Sequence, residues 1–266
     1  MPAIQPARLK IQAVRLTDDF TQPAAFISKL DDILDFYADR THRSGLAGTP
    51  HPLLNAYNVP APVMRQLLAE LAPLVINHPQ AGLDLADGLW QRENLECRLI
   101  AASLLGVAQQ EYADEVVSRV QIWLQTETER RLIEALVRQG LELIRKDVPA
   151  KYLALLETWL ASPDLSQQEI GLLGMLPLLE NDSFSNLPVL FRLLTPYIRV
   201  VHTYLRPALL SVLDALAERS PQETAYLLRQ NLYTPDNSDT AWVIRKMLRR
   251  FPQEIRDSLR KSMSSP

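Results

Sequence analysis

Three tryptophans, Trp90, Trp123 and Trp159, stand 33 and 36 residues apart. Each closes an apolar run that is followed by a short polar break and a fresh apolar run. The first of these units reads Trp90-Gln-Arg-Glu-Asn-Leu-Glu-Cys-Arg-Leu and the second Trp123-Leu-Gln-Thr-Glu-Thr-Glu-Arg-Arg-Leu. The third reads Trp159-Leu-Ala-Ser-Pro-Asp-Leu-Ser-Gln-Gln-Glu-Ile. A repeat of this length belongs to stacked helix pairs, because one pair cannot cover its own apolar face and needs the next to do so. The pattern continues to the end of the chain: the stretch from Pro221 to Arg229 is echoed 31 residues later from Pro252 to Arg260. The expectation is an all-α fold with one continuous core over residues 1–266, as a single repeat domain.

Apolar spacing places helices near 24–37, 62–76, 81–91, 95–108, 113–125, 128–143, 149–161, 166–179, 187–198, 203–219, 222–233, 239–250 and 252–262. Asn94, Thr126, Asp164, Ser220 and Ser238 stand where caps are needed. Pro177 and Pro207 fall inside apolar runs, where proline kinks a helix or marks its end. Residues 1–20 mix Pro, Gln and basic side chains without a period and are expected to be loose. Residues 38–52, with Gly45, Gly48, Pro50 and Pro52, read as a long loop. Only 8 glycines in 266 residues suit helices rather than tight turns.

The chemistry is sparser. Cys97 excludes an internal disulfide by being the one cysteine, and its neighbours Leu95, Leu99 and Ile100 mark it as a buried filler. His42, His51, His78 and His202 lack same-face metal spacing, and no glycine-rich phosphate loop is present, so neither a metal nor a cofactor is expected. No signal-peptide layout or membrane-length apolar run is seen, and the expectation is a cytoplasmic protein with no membrane partner. The periodic tryptophans read as core. Trp242 breaks the phase and is left open between core and a base-stacking platform.

Net charge is −3, yet basic side chains cluster on predicted helix faces. In 128–143, Leu132, Ile133, Leu136, Val137 and Gly140 face inward, with Arg131, Glu134 and Arg138 opposite. In 239–250, Val243, Ile244, Met247 and Leu248 face inward, with Arg245, Lys246, Arg249 and Arg250 outward. Arg98 and Arg206 occupy related helices. A groove lined by these side chains would hold a phosphate backbone by charge. Each arginine taken alone reads better as part of a solvated helix face, and Glu129, Glu134 and Glu169 weaken the local field and favour that reading.

Four stretches resemble the AlkD-type DNA alkylation repair family. They are Tyr57-Asn-Val-Pro-Ala-Pro-Val-Met-Arg65, Leu89-Trp90 through Glu96-Cys-Arg98-Leu-Ile-Ala, Trp159 through Leu172, and Trp242-Val-Ile-Arg245-Lys246-Met-Leu-Arg249-Arg250. The resemblance implies a right-handed α-solenoid of HEAT-like helix pairs. It also implies double-stranded DNA as partner and glycosylases that remove alkylated bases. The family's glycosylases use a Trp and an Asp one turn apart and an Arg on the following repeat. Aligned on Gly140, the first two positions fall at Thr128 and Leu132, and the third near Gln168 or Glu169. Aligned on Trp123, a carboxylate is kept at Glu127. The late run has Met247-Leu248 in place of the family's Gly-Trp.

Three readings follow. The first is a DNA-binding member without the usual site, with no catalytic residue assigned and with Arg98, Arg131, Arg138, Arg206, Arg245, Lys246 and Arg249 on phosphates. The second is an active glycosylase using Glu127 or Glu134. The third is a protein-binding scaffold, since fold does not fix function. The lesion, any protein partner and the oligomeric state are not encoded in any motif.

Overall fold

A computed structural model describes residues 5–39 and 54–264. Among them the fold is all-α: every regular element is helical. From residue 40 onward the expected 38–52 loop lies outside the described residues, as do His42 and His51. Contacts divide the chain into two compact units, Met1–Tyr152 and Leu153–Pro266. The sequence period runs unbroken through this division and carries no mark of it.

The first unit begins with α1 (Pro6–Thr17), α2 (Pro23–Phe36), α3 (Ala61–Asn77) and α4 (Pro79–Trp90). It continues with α5 (Leu95–Leu105), α6 (Ala113–Thr126), α7 (Arg130–Ala135) and α8 (Glu142–Asp147). α1 packs on α3, α3 on α5 and α5 on α7, while α2 packs on α4 and α6 on α8. Alternate helices therefore form two layers. α5 carries the heaviest load, with Leu95, Cys97, Ile100, Ala101, Ala102, Leu104 and Leu105 all buried, so it is apolar nearly all round. Each buried Leu or Ile contributes about 1.5–3 kcal/mol against exposure. Burial pushes the Cys97 thiol up to about 12, so it is a packed filler and a poor nucleophile.

Three expectations are corrected in this unit. Residues 6–17 are helical rather than loose, because Pro6 opens the turn and Leu9, Ala13 and Leu16 share one buried face. Glu129, not Thr126, caps α7: its carboxylate accepts the Arg131 amide at 3.4 Å, whereas Thr126 is the last residue of α6. The single helix expected over 128–143 is interrupted. After α7 the chain makes a π-turn over Leu136–Gly140, with the Leu141 amide donating to the Leu136 carbonyl at 3.1 Å, and α8 then starts afresh. The buried residues Leu132, Leu136, Gly140 and Ile144 stay four apart through the turn, so the apolar pattern reads as one helix.

The boundary between units falls inside α9 (Pro149–Leu160). The second unit continues with α10 (Leu165–Leu179), α11 (Leu187–Arg199), α12 (Arg206–Arg219), α13 (Pro221–Leu232), α14 (Thr240–Met247) and α15 (Gln253–Ser264). α10, α12 and α14 pack in sequence as one layer, and α11, α13 and α15 as the other. Asn94 and Asp164 cap their helices through side-chain oxygens, as expected. Ser220 and Ser238 do not. The Ser220 side chain makes no cap bond ahead of Pro221, and Asp239 takes the position before α14. Pro207 sits in the first turn of α12, where a missing amide hydrogen costs nothing, while Pro177 is tolerated inside α10.

The tryptophans occupy one place in successive pairs, at or near the end of α4, α6 and α9. The Trp90 and Trp123 rings stack 4.3 Å apart at 3°, and Trp123 and Trp159 are buried. No helix among the described residues is long and apolar enough to cross a membrane.

Candidate nucleic-acid interface

In the second unit the strongest cationic feature is α14 with the 3-10 turn that follows it. On α14, positions 242, 245 and 246 follow the i, i+3, i+4 rule and share one face, and 249 follows in the 3-10 turn. Val243, Ile244 and Met247 are buried on the other, as the apolar spacing required. Arg245, Lys246 and Arg249 are exposed. Among the described residues no carboxylate pairs with any of these three, whereas their neighbour Arg250 pairs with Asp214 at 2.8 Å.

Several buried contacts fix α14 in place. The Asp239 amide donates to the Arg199 carbonyl at 2.9 Å, and the Asp239 carboxylate accepts the Val201 amide at 3.0 Å. The Thr240 hydroxyl, fully buried, donates to the Ile198 carbonyl at 3.1 Å. Arg206, at the start of α12, pairs with Asp239 at 3.1 Å and places its guanidinium carbon 4.3 Å from the centre of the Trp242 ring. The Lys246 amine lies 5.9 Å from the same centre. Trp242 is half-buried between two cations, a geometry worth about 0.5–1 kcal/mol at partly exposed sites. Arg206 is thus tied to Asp239 and Trp242, while Arg245, Lys246 and Arg249 are exposed without a carboxylate partner among the described residues.

The first unit holds the other sequence-derived cations. Arg98 is occupied internally. Its Nε donates to the carbonyls of Trp90 and Arg92 at 2.9 and 3.0 Å, and its guanidinium pairs with Glu127 at 2.9 Å and lies 5.1 Å from the Trp90 ring centre. The carbonyl of half-buried Arg138 accepts from Arg145 at 3.0 Å. Arg131 is exposed at the start of α7.

The carboxylates considered for base removal are also engaged. Glu127, 5% exposed at its side chain, accepts the Thr128 and Glu129 amides at 2.9 and 2.8 Å besides pairing with Arg98. Glu134 pairs with Arg130 at 3.0 Å on an exposed face. Leu132 is 0% exposed and Thr128 is exposed. Gln168 donates to the Ser162 carbonyl at 2.7 Å, and Glu169 accepts from the Tyr204 hydroxyl at 2.6 Å. Among the described residues no cluster of His, Cys, Asp and Glu has metal-binding geometry.

Glu96 entered the sequence reading only as part of a motif, with no role assigned. It is 4% exposed, and its carboxylate accepts the amides of Tyr57 and Val59 at 3.1 and 3.3 Å. Asn55 joins the same seam, its carbonyl accepting the Leu95 amide at 2.9 Å. Two separate stretches of the resemblance, Tyr57–Arg65 and Glu96–Arg98, are therefore one structural unit, held by a buried carboxylate on backbone amides.

The pattern of the family described as DNA alkylation repair enzyme matches residues 38–256. The chain belongs to that family. No curated protein matches it closely enough to report. The match spans both units, so the family pattern covers the α14 stripe together with the Glu96 seam and the Glu127–Arg98 pair.

Proposed function

We propose that this family member binds duplex DNA through the exposed cations of α14 and does not itself cleave the glycosidic bond. The stripe carries the reading: Arg245 and Lys246 on well-anchored α14, and Arg249 in the 3-10 turn after it, are exposed with no carboxylate partner among the described residues. Three such side chains displace about three condensed counterions from a phosphate backbone. Arg206 supports the stripe by holding Trp242, and a cytoplasmic location suits a DNA partner.

The absence of base removal rests on chemistry at the positions that the resemblance singles out. Leu132 in the core cannot stabilise a cationic sugar, Thr128 cannot stack on one, and Glu169 would repel phosphate. Glu127 has both oxygens committed to Arg98 and two amides.

Fluorescence anisotropy with a labelled duplex tests the first half. Replacing Arg245, Lys246 and Arg249 together by Ala is expected to weaken binding about thirtyfold at low salt and to lower the slope of log K against log salt by about 3. Unchanged affinity and slope would remove the proposal. For the second half, incubation with methylated DNA is expected to release no 7-methylguanine or 3-methyladenine above the protein-free rate. Release that is lost in Glu127→Gln would restore the glycosylase reading.

A further inference from the structure

The first unit carries a cavity of about 500 Å³ lined by α3, α5, the start of α7 and the π-turn, in the other unit from the α14 stripe. Its apolar wall is Met64, Leu68 and Ala72 from α3 with Leu99, Leu104 and Val107 from α5 and its end. Ser103 adds a hydroxyl, but it donates to the Leu99 carbonyl at 2.9 Å. Gln139 enters the lining from the π-turn.

Four charged side chains touch this space: Arg65, Glu96, Arg131 and Glu142. The two acids are already used. Glu96 accepts the Tyr57 and Val59 amides, and Glu142 pairs with Lys146 on its own helix. The two guanidiniums are exposed, and among the described residues no carboxylate pairs with either. A volume of this size, mostly apolar and with a few polar groups to orient the guest, matches the usual small-molecule site.

We infer that this cavity binds a small organic anion: an aromatic or aliphatic body of about 20 heavy atoms against the Met64, Leu68, Leu99 and Val107 wall, with a carboxylate, sulfonate or phosphate held by Arg65 and Arg131. Charge complementarity sets the sign of the ligand. A cation would meet two free guanidiniums, and a neutral guest would leave them without a partner. The inference does not rest on DNA binding, because the residues involved lie in the other unit from the α14 stripe.

The test uses the full chain and 1-anilinonaphthalene-8-sulfonate, a fluorescent anion with an aromatic body. One saturable site per folded chain is expected, with a Kd on the order of 10–100 μM. The paired change Arg65→Gln and Arg131→Gln, both at exposed positions, is expected to weaken it at least about tenfold without lowering Tm. N-phenyl-1-naphthylamine, the uncharged counterpart, is expected to bind at least about tenfold more weakly than the sulfonate. Absence of saturable binding would overturn the inference. So would an affinity indifferent to both Gln substitutions, or equal affinity for the neutral probe. Displacement of the probe by a duplex oligonucleotide at low salt would also overturn it, since the two arginines would then be serving phosphodiesters.

Discussion

Gly106→Ala is expected to destabilise the protein by about 3 kcal/mol or more, lowering Tm by roughly 6–12 °C, because a rigid backbone contact leaves no room for the added methyl. A Cβ built at Gly106 would sit 1.9 Å from the Gln139 carbonyl oxygen and 2.9 Å from its carbon. The clash is with main chain, so no rotamer change relieves it. One strand of the contact is the end of α5, and the other is the π-turn that separates α7 from α8. For Ala to fit, that turn has to move, together with buried Leu136, Val137 and Leu141. Gly140→Ala is the built-in comparison. Its nearest neighbours would stand at 3.5 Å or more, ordinary contact distances, and its cost is expected to stay within about 1 kcal/mol. Thermal melts followed by circular dichroism measure both. Equal melting temperatures for the two variants would mean that the close approach of Gly106 to Gln139 is not rigid.

Arg219→Ala is expected to cost about 3 kcal/mol, again roughly 6–12 °C in Tm, and to open the 180–186 segment to proteases. The end of α10 and the turn after it present a row of carbonyls, of which those of Leu178 and Asn181 also accept the Asn181 and Phe184 amides at 3.3 and 3.0 Å. Arg219, the last residue of α12, reaches across to them. One terminal nitrogen donates to the carbonyls of Leu178, Leu179 and Asn181 at 3.2, 3.0 and 3.0 Å. The other donates to Asp182 at 3.2 Å and to Phe184. A planar fork of donors can satisfy that array, and its charge is favourable at the negative end of a helix. Arg219→Lys tests the geometry. A single ammonium keeps the charge but cannot span five oxygens, so more than half of the loss is expected to remain. A melting temperature for Arg219→Ala within about 2 °C of the parent, with no new cleavage between 180 and 186, would show that solvent serves those carbonyls equally well.

These two sites show why part of the fold was not legible from the residues in order. The helices themselves were, since Leu190, Leu194 and Ile198 in α11, or Val243, Ile244 and Met247 in α14, declare their faces by spacing. Asn94 and Asp164 were found as caps for the same local reason. The π-turn was not found, because the buried residues keep their spacing through it, and its close approach to Gly106 of the α5 end joins positions some thirty residues apart. α1 was missed because Leu9, Ala13 and Leu16 are its only buried positions, too few to stand out among Gln, Lys and Arg.

The candidate interface divides in the same way. That Arg245 and Lys246 share an outward face followed from helical periodicity. Which arginines are free and which are tied did not: Arg98 and Arg206 look equally exposed on paper, yet each has a carboxylate and an aromatic ring from another helix against it.

By itself the sequence determined what depends on neighbours within one helix turn or one repeat: the all-α fold, the helix faces, the shared place of Trp90, Trp123 and Trp159, and membership in a DNA alkylation repair family through short ordered motifs. Only the tertiary structure decided what depends on atoms brought together from distant positions. Those are the Glu96 carboxylate on the Tyr57 and Val59 amides, the Gly106 contact, the Arg219 clamp and the cavity between α3 and α5. Periodicity reports which way a side chain points from its own helix. It carries no record of what another helix has placed there to meet it.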